Sequence, residues 1–141
     1  MLISTQDEIK LTPETGGNKE VEVEQIFVAG RPNISNQRRG LTVSAFFKNP
    51  GRWKFLSRRK FELQHHAAVT LNGKLYITGG TYCRIDKPPA TQEVTNKVHS
   101  YDIAKRKWKS TRPMLESRHF HSAVTYRGAI LVLGGKDSQG Q

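Results

Sequence analysis

Apolar residues along this chain come in short runs closed by turn residues, the pattern of strands. In HHAAVTLNGKLYITGG (65–80), His66–Leu71 is one run, Asn72-Gly73 is a two-residue hairpin turn, and Leu75–Thr78 is a second run. The second run ends in the pair Gly79-Gly80. Residues 119–135, HFHSAVTYRGAILVLGG, repeat QHHAAVTLNGKLYITGG (64–80) at an offset of 55, with seven of seventeen positions identical. The same offset carries Trp53 onto Trp108, each followed by Lys, and Phe46 onto Tyr101. A weaker third copy lies upstream, where EQIFVAG (24–30) matches KLYITGG (74–80) with Ala29-Gly30 in place of the glycine pair. A period near fifty with such fixed marks predicts a row of propeller blades.

Each blade is predicted as four antiparallel strands, A to D from the central channel outward. Blade one takes B at 24–30, C at 41–47 and D at 53–56, with strand A missing. Blade two takes A at 64–71, B at 74–80, C at 97–103 and D at 107–110. Blade three takes A at 119–126 and B at 129–135. The domain reading is therefore an acidic, unstructured head over 1–20, a degenerate blade over 21–60, a full blade over 61–112 and a half blade over 113–141. Glycine pairs suit the crowded blade junctions, and Trp and Tyr fill the gap between sheets. Gly79, Gly80, Gly134, Gly135, Trp53, Tyr101 and Trp108 are accordingly read as architectural, and Trp53 is expected to be buried.

These residues resemble the kelch family. The marks are Arg118 ahead of His121, LVLGG closing an aliphatic strand, Tyr101-Asp102 and Trp108, and the likeness covers residues 21–141. Departures are Ala29 for a glycine, Leu63 for the leading arginine, and Phe46-Phe47 for Tyr-Asp. The resemblance implies an all-β, incomplete kelch-type β-propeller of about two and a half four-stranded blades. It also implies a non-enzymatic protein-interaction module. BTB-bearing members serve as substrate adaptors of cullin-RING ubiquitin ligases, through domains not seen in this chain. Others bind actin or act as scaffolds. A closed ring takes about four to eight blades, so the chain is expected to be part of a longer protein or to self-associate through open blade edges.

Antiparallel order puts the A–B and C–D turns at one end and the B–C and D–A connections at the other. The B–C connections are long, at 31–40 and 81–96, and long loops on a rigid scaffold are where binding usually lives. Arg31, Arg38, Arg39, Arg58, Arg59, Lys60, Tyr82, Arg84, Arg112 and Arg118 fall at that end and form the predicted partner-binding set, with Lys87 beside them. The net charge of +11 is uneven: residues 31–60 hold nine bases and no acid, while residues 1–30 hold six acids and two bases. That asymmetry predicts an acidic protein or peptide partner.

Composition narrows the rest. No apolar run approaches the roughly 20 residues of a membrane helix, and residues 1–20 read as neither signal nor transit peptide. The cytoplasm is the default address, with the nucleus as the alternative. One cysteine, Cys83, rules out an intramolecular disulfide. The histidines His65, His66, His99, His119 and His121 lack the companions of a metal site, and His66 and His121 are repeat equivalents. Some kelch-like propellers are copper oxidases, but no matching ligand set can be assigned here. No phosphate loop, nucleophile elbow or paired carboxylates stand out, so neither enzyme nor cofactor is predicted. RRGLTVSAFFKNPGRWKFLSRRK (38–60) interleaves bases with aromatics and leaves nucleic-acid binding as the lesser reading.

Overall fold

In the computed structural model, residues 2–5, 25–30, 40–48, 50–85 and 91–141 are described, and among them every regular element is a β-strand. In chain order these are β1 (Leu2–Thr5), β2 (Gln25–Gly30), β3 (Leu41–Phe47), β4 (Arg52–Arg59), β5 (Phe61–Gln64), β6 (Ala67–Leu71) and β7 (Lys74–Thr78). They continue as β8 (Thr81–Arg84), β9 (Gln92–Val94), β10 (Val98–Asp102), β11 (Lys107–Ser110), β12 (Ser122–Tyr126) and β13 (Ala129–Leu133).

The strands form three blades and one small accessory sheet, all antiparallel. Blade one runs β1-β2-β3-β4, blade two β6-β7-β10-β11, and blade three is the hairpin β12-β13. The hairpins form where the turn chemistry dictates. Asn72-Gly73 holds φ at 50° and 70°, the two positive values that match a tight turn to the twist of its strands. At the β10–β11 turn, Asp102 Oδ1 accepts the Lys105 amide at 2.8 Å, a local bond that competes with continued strand.

The core lies between blades one and two. Phe27, Ala29, Leu41, Val43 and Ala45 of blade one are buried against Leu75, Ile77 and Tyr101 of blade two, with Phe61 and Leu63 joining from the connection. Each buried side chain of Leu or Phe size contributes about 1.5–3 kcal/mol relative to exposure. Tyr101 and Trp108 meet with ring centroids 5.1 Å apart, and the Trp108 indole donates to Ser57 Oγ on β4 at 2.7 Å. Blade two is thus clasped to blade one at its outer strand as well as in its core.

Four expectations change. First, the A position of blade one is occupied: β1 pairs with β2 through Leu2↔Ala29 to Thr5↔Ile26. The unstructured head therefore does not extend over Leu2–Thr5, and the remainder of that expectation lies outside the described residues. Second, the strand predicted over 64–71 does not run through. His65 takes φ 54°, and β5 leaves the blade to pair with β8.

Third, the upstream copy is offset by one residue from the sequence match. The row Ile26–Phe46–Trp53 corresponds to Leu75–Tyr101–Trp108, so Ala29 stands at the position of Thr78 and Gly30 at that of Gly79. Fourth, Trp53 is 54% exposed, because it points to the side of blade one away from blade two. Its ring leans on Phe46, 5.4 Å between centroids.

Candidate functional site

The D–A and B–C connections gather at one end of the blades, and part of them is ordered as the accessory sheet β5-β8-β9. β5 comes from the link between blades one and two, and β8 and β9 from the B–C connection of blade two. That connection was predicted as irregular loop, yet Phe61↔Arg84 to Gln64↔Thr81 and Thr81↔Val94 to Cys83↔Gln92 satisfy its backbone. At the end of blade three, His119 and Lys136 exchange backbone hydrogen bonds of 2.9 Å, tying the D–A link to the residues after β13.

Beneath the accessory sheet is a layer of rings and cations. Phe61 lies 5.2 Å from Tyr82 and 4.9 Å from His99, centroid to centroid. Arg59 stacks its guanidinium 5.5 Å from the Phe61 centroid and 5.7 Å from that of Trp108. Lys97 sits 5.0 Å from the Tyr82 ring. Cation–π contacts of this kind contribute about 0.5–2 kcal/mol according to how dry they are. Tyr82, expected as an exposed recognition aromatic, is half-buried in this layer, and Arg59 is occupied in joining the blades.

The rest of the predicted partner-binding set divides as follows. Arg58, Lys60, Arg84 and Arg112 are exposed at this end. Arg31, Arg38, Arg39 and Lys87 lie outside the described residues. Arg118 is half-buried and engaged: it donates to the Gly134 carbonyl at 2.7 Å and pairs with Glu116 at 2.7 Å. The Arg118 carbonyl in turn accepts the Gly80 amide at 2.9 Å, so this residue ties blade three to blade two.

Sequence reasoning passed over the pair His65 and Phe120. They are repeat equivalents at the offset of 55, each two residues before an innermost strand, and both adopt φ 54°. Their rings stack at 3.9 Å, and the Phe120 amide donates to the His65 carbonyl at 3.0 Å. A left-handed phenylalanine is a backbone outlier costing about 1–3 kcal/mol, here supported by the stack and the hydrogen bond. Phe120 nonetheless remains 60% exposed, giving this basic end an apolar ring. The spacing of 55 that equates the two positions was the available signal; their backbone conformation was not legible from it.

The histidines work across blades. His66 Nε2 donates to the Ala29 carbonyl at 3.3 Å, and His121 Nε2 meets Thr78 Oγ1 at 2.8 Å, the repeat-equivalent link one junction on. His119 Nδ1 meets Thr81 Oγ1 at 3.2 Å. Among the described residues no group of three or more His, Cys, Asp or Glu is placed to hold a metal ion.

Burial lowers the pKa of His66 and His121 below 6.5, and burial with the nearby Arg59 and Lys97 charges pulls His99 down to about 4. Below pH 6.5 the unfolded chain therefore binds protons that the folded chain refuses. Stability is expected to be full above that value and to fall as pH drops toward 4. Urea midpoints at pH 7.5, 6 and 5 check this; in His99→Gln the decline should be shallower, and a midpoint rising with acid would contradict it.

Comparisons with known proteins agree with this layout. The Kelch motif matches residues 63–115, a span that holds blade two and its accessory strands. The chain is 32% identical over 116 residues to human Kelch repeat and BTB domain-containing protein 12, covering 81% of this chain and 19% of that one. It is 29% identical to Beta-scruin of Limulus polyphemus, covering 72% of this chain and 11% of the relative. Kelch-like protein 38 of Danio rerio is 27% identical, over 78% of this chain and 18% of its own length. The chain thus spans about a fifth or less of these relatives. The solved structure of YjhT superposes with a TM-score of 0.67 at 17% identity, over 82% of this chain and 32% of that one.

Proposed function

Because this chain belongs to the kelch-repeat family, we propose that it is a protein-interaction module whose connection end presents a basic surface to an acidic segment of a partner protein. The observation that carries this is the separation of roles among the cations at that end. Arg59 and Arg118 are committed to the blades, whereas Arg58, Lys60 and Arg112 remain exposed around them. The His65–Phe120 stack supplies an apolar contact at the same end of the blades, and peptide recognition commonly combines such an anchor with complementary charge.

The module acts without catalysis or cofactor, in the cytoplasm or nucleus; among the described residues no helix is long and apolar enough to cross a membrane. Relatives named for a BTB domain stand beside this chain, and in this reading the module is a substrate-recognition part of a cullin-type ubiquitin ligase adaptor, with actin scaffolding as the alternative. Reversing Arg58, Lys60 and Arg112 to Glu is expected to weaken capture of an Asp/Glu-rich peptide at least tenfold, about 1.4 kcal/mol, read by fluorescence anisotropy. Unchanged affinity would remove the basic-face reading.

A second reading rests on exposed Trp53 and Phe55, with Arg52 and Lys54 beside them on β4. Aromatics flanked by cations can stack and hold single-stranded nucleic acid. Retention of a generic oligonucleotide that falls steeply with salt, and is lost in Trp53→Ala, would favour it over the peptide.

A further inference from the structure

The junction between blades one and two lies within this chain, and at the connection end it gathers cations without an acid to match them. Side-chain alternation puts Lys97 on the same face of its strand as His99 and Tyr101, the face that meets blade one. Ser110 on β11 pairs with His99. Beyond that pair the Thr111 amide donates to the Val98 carbonyl at 3.0 Å, and the Met114 amide to the Asn96 carbonyl at 2.9 Å. The ladder therefore runs on and sets Arg112 across from Lys97. From blade one, Arg59 reaches the same place, its guanidinium over the Phe61 ring on which His99 also rests at 4.9 Å. Lys97 in turn sits over Tyr82, whose ring is 5.2 Å from Phe61.

Among the described residues, Arg59, Lys97 and Arg112 form no salt bridge. Of the acids on these strands, Glu62 alternates to the opposite face of β5 from Phe61, and Glu93 stands across from Tyr82. His99 is 7% exposed, and its Nε2 has no hydrogen-bond partner among the described residues. Burial, with the Arg59 and Lys97 charges, holds its pKa at about 4, so the ring is neutral amid the cations. A buried polar nitrogen of this kind calls for a partner. An anion seated against Lys97 and Arg59 would accept from that nitrogen as well as from both cations.

We propose that this junction holds the phosphate of a phosphorylated side chain in the partner segment, gripped by Lys97 and Arg112 with Arg59 and His99 behind it. The inference rests on the reading of the connection end as a basic binding surface. Phosphate suits the group better than a carboxylate, because it brings about −1.5 to −2 charges at pH 7 and three acceptor oxygens. Lys97, Ser110 and Arg112 are exposed, so the phosphate approaches from solvent. Arg59 is already held between Phe61 and Trp108 and needs little further ordering on binding. The site lies between the outer strands of two adjoining blades and draws on neither the outer face of blade one nor the β12-β13 hairpin.

Fluorescence anisotropy of the full chain tests the site, using an Asp/Glu-rich peptide with one serine and the same peptide phosphorylated there. Phosphorylation should tighten binding about tenfold, as new charge-assisted hydrogen bonds form. In Lys97→Gln that ratio should fall to about twofold, whereas Lys105→Gln, which removes the same charge from the opposite end, should keep it near tenfold. Both lysines are exposed, so both variants are expected to fold. The His99 ring resonances of the parent should move on adding the phosphopeptide and stay in place with the unphosphorylated one. A parent ratio below about twofold, a fall shared equally by the two variants, or unmoved His99 resonances would overturn the proposal. So would complete displacement of the phosphopeptide by an equal concentration of inorganic phosphate, since the site would then serve the free ion. The basic-surface reading fails separately, when the unphosphorylated peptide binds no better than an uncharged one while the phosphopeptide is still held through Lys97; if neither peptide binds, both fall.

Discussion

Replacing Gly79 by alanine is expected to cost about 2–5 kcal/mol, while the same change at its repeat equivalent Gly134 should cost only about 1–2 kcal/mol. Both glycines hold positive φ, +55° and +68°, so both variants carry the backbone penalty of a left-handed alanine. They differ in what the added methyl meets. At Gly79 it would lie 2.5 Å from the Arg118 carbonyl oxygen, 2.7 Å from Met114 Cε and 2.8 Å from His121 Cε1, all from the strand and link of blade three. The methionine can swing aside; a carbonyl that also accepts the Gly80 amide cannot. At Gly134 nothing lies within 4 Å. Urea midpoints of the two variants check the contrast. Equal losses would mean that the glycine serves the backbone alone and not the blade junction.

Tyr101→Ala is expected to lose about 3–5 kcal/mol, and Tyr101→Phe close to nothing. Tyr101 has no exposed surface; it rests on Trp108 and lies between blades one and two. Removing the ring leaves a cavity that rigid strands on both sides cannot close. The hydroxyl is a separate matter. It is buried without a hydrogen-bond partner among the described residues, so it carries a desolvation cost with no compensating bond. Phenylalanine keeps the packing and removes that cost, as Phe46 does at the equivalent place in blade one. Chemical denaturation of both variants decides the point. A Tyr101→Phe loss approaching that of the alanine variant would show that the hydroxyl contributes a bond.

Much of the architecture was legible because the offset of 55 equates residues whose chemistry is unambiguous. The Asn72-Gly73 turn, the Gly79-Gly80 pair and Trp108 each fix a position on a blade, and β3 and β11 fall on the residues anticipated for them. What was hidden depended on pairing between distant segments. Leu2–Thr5 carries none of the repeat's marks and reaches β2 only across residues 6–24, so sequence left that strand unfilled. Ala29-Gly30 imitates a glycine pair, and only the hydrogen-bond register shows that Gly30 is its first member. Phe61–Gln64 reads as the start of an innermost strand until His65 turns the chain and β8 claims it.

The candidate site was less legible for a similar reason. Charge and connection length place Arg59 and Arg118 among the exposed cations, but their partners are rings and carbonyls brought in by other strands. Tyr82 reads from sequence as a loop residue, whereas pairing of β8 with β5 sets its ring against Phe61. The His65–Phe120 stack needs two left-handed residues at equivalent positions, a conformation that neither residue type advertises. Sequence places these cations at the connection end of the blades; which of them stay exposed is a matter of tertiary contacts.

The most direct measurement compares the two ends of the blades at equal charge. Arg58, Lys60 and Arg112 stand at the connection end, and Lys105, Arg106 and Lys107 stand exposed at the β10–β11 turn of the other. Reversing either trio to Glu changes the net charge equally, so long-range attraction falls alike. Binding of an Asp/Glu-rich peptide should be lost in the first variant and largely kept in the second. Equal weakening in both would contradict the account, because it would reduce the interaction to the charge of the whole protein.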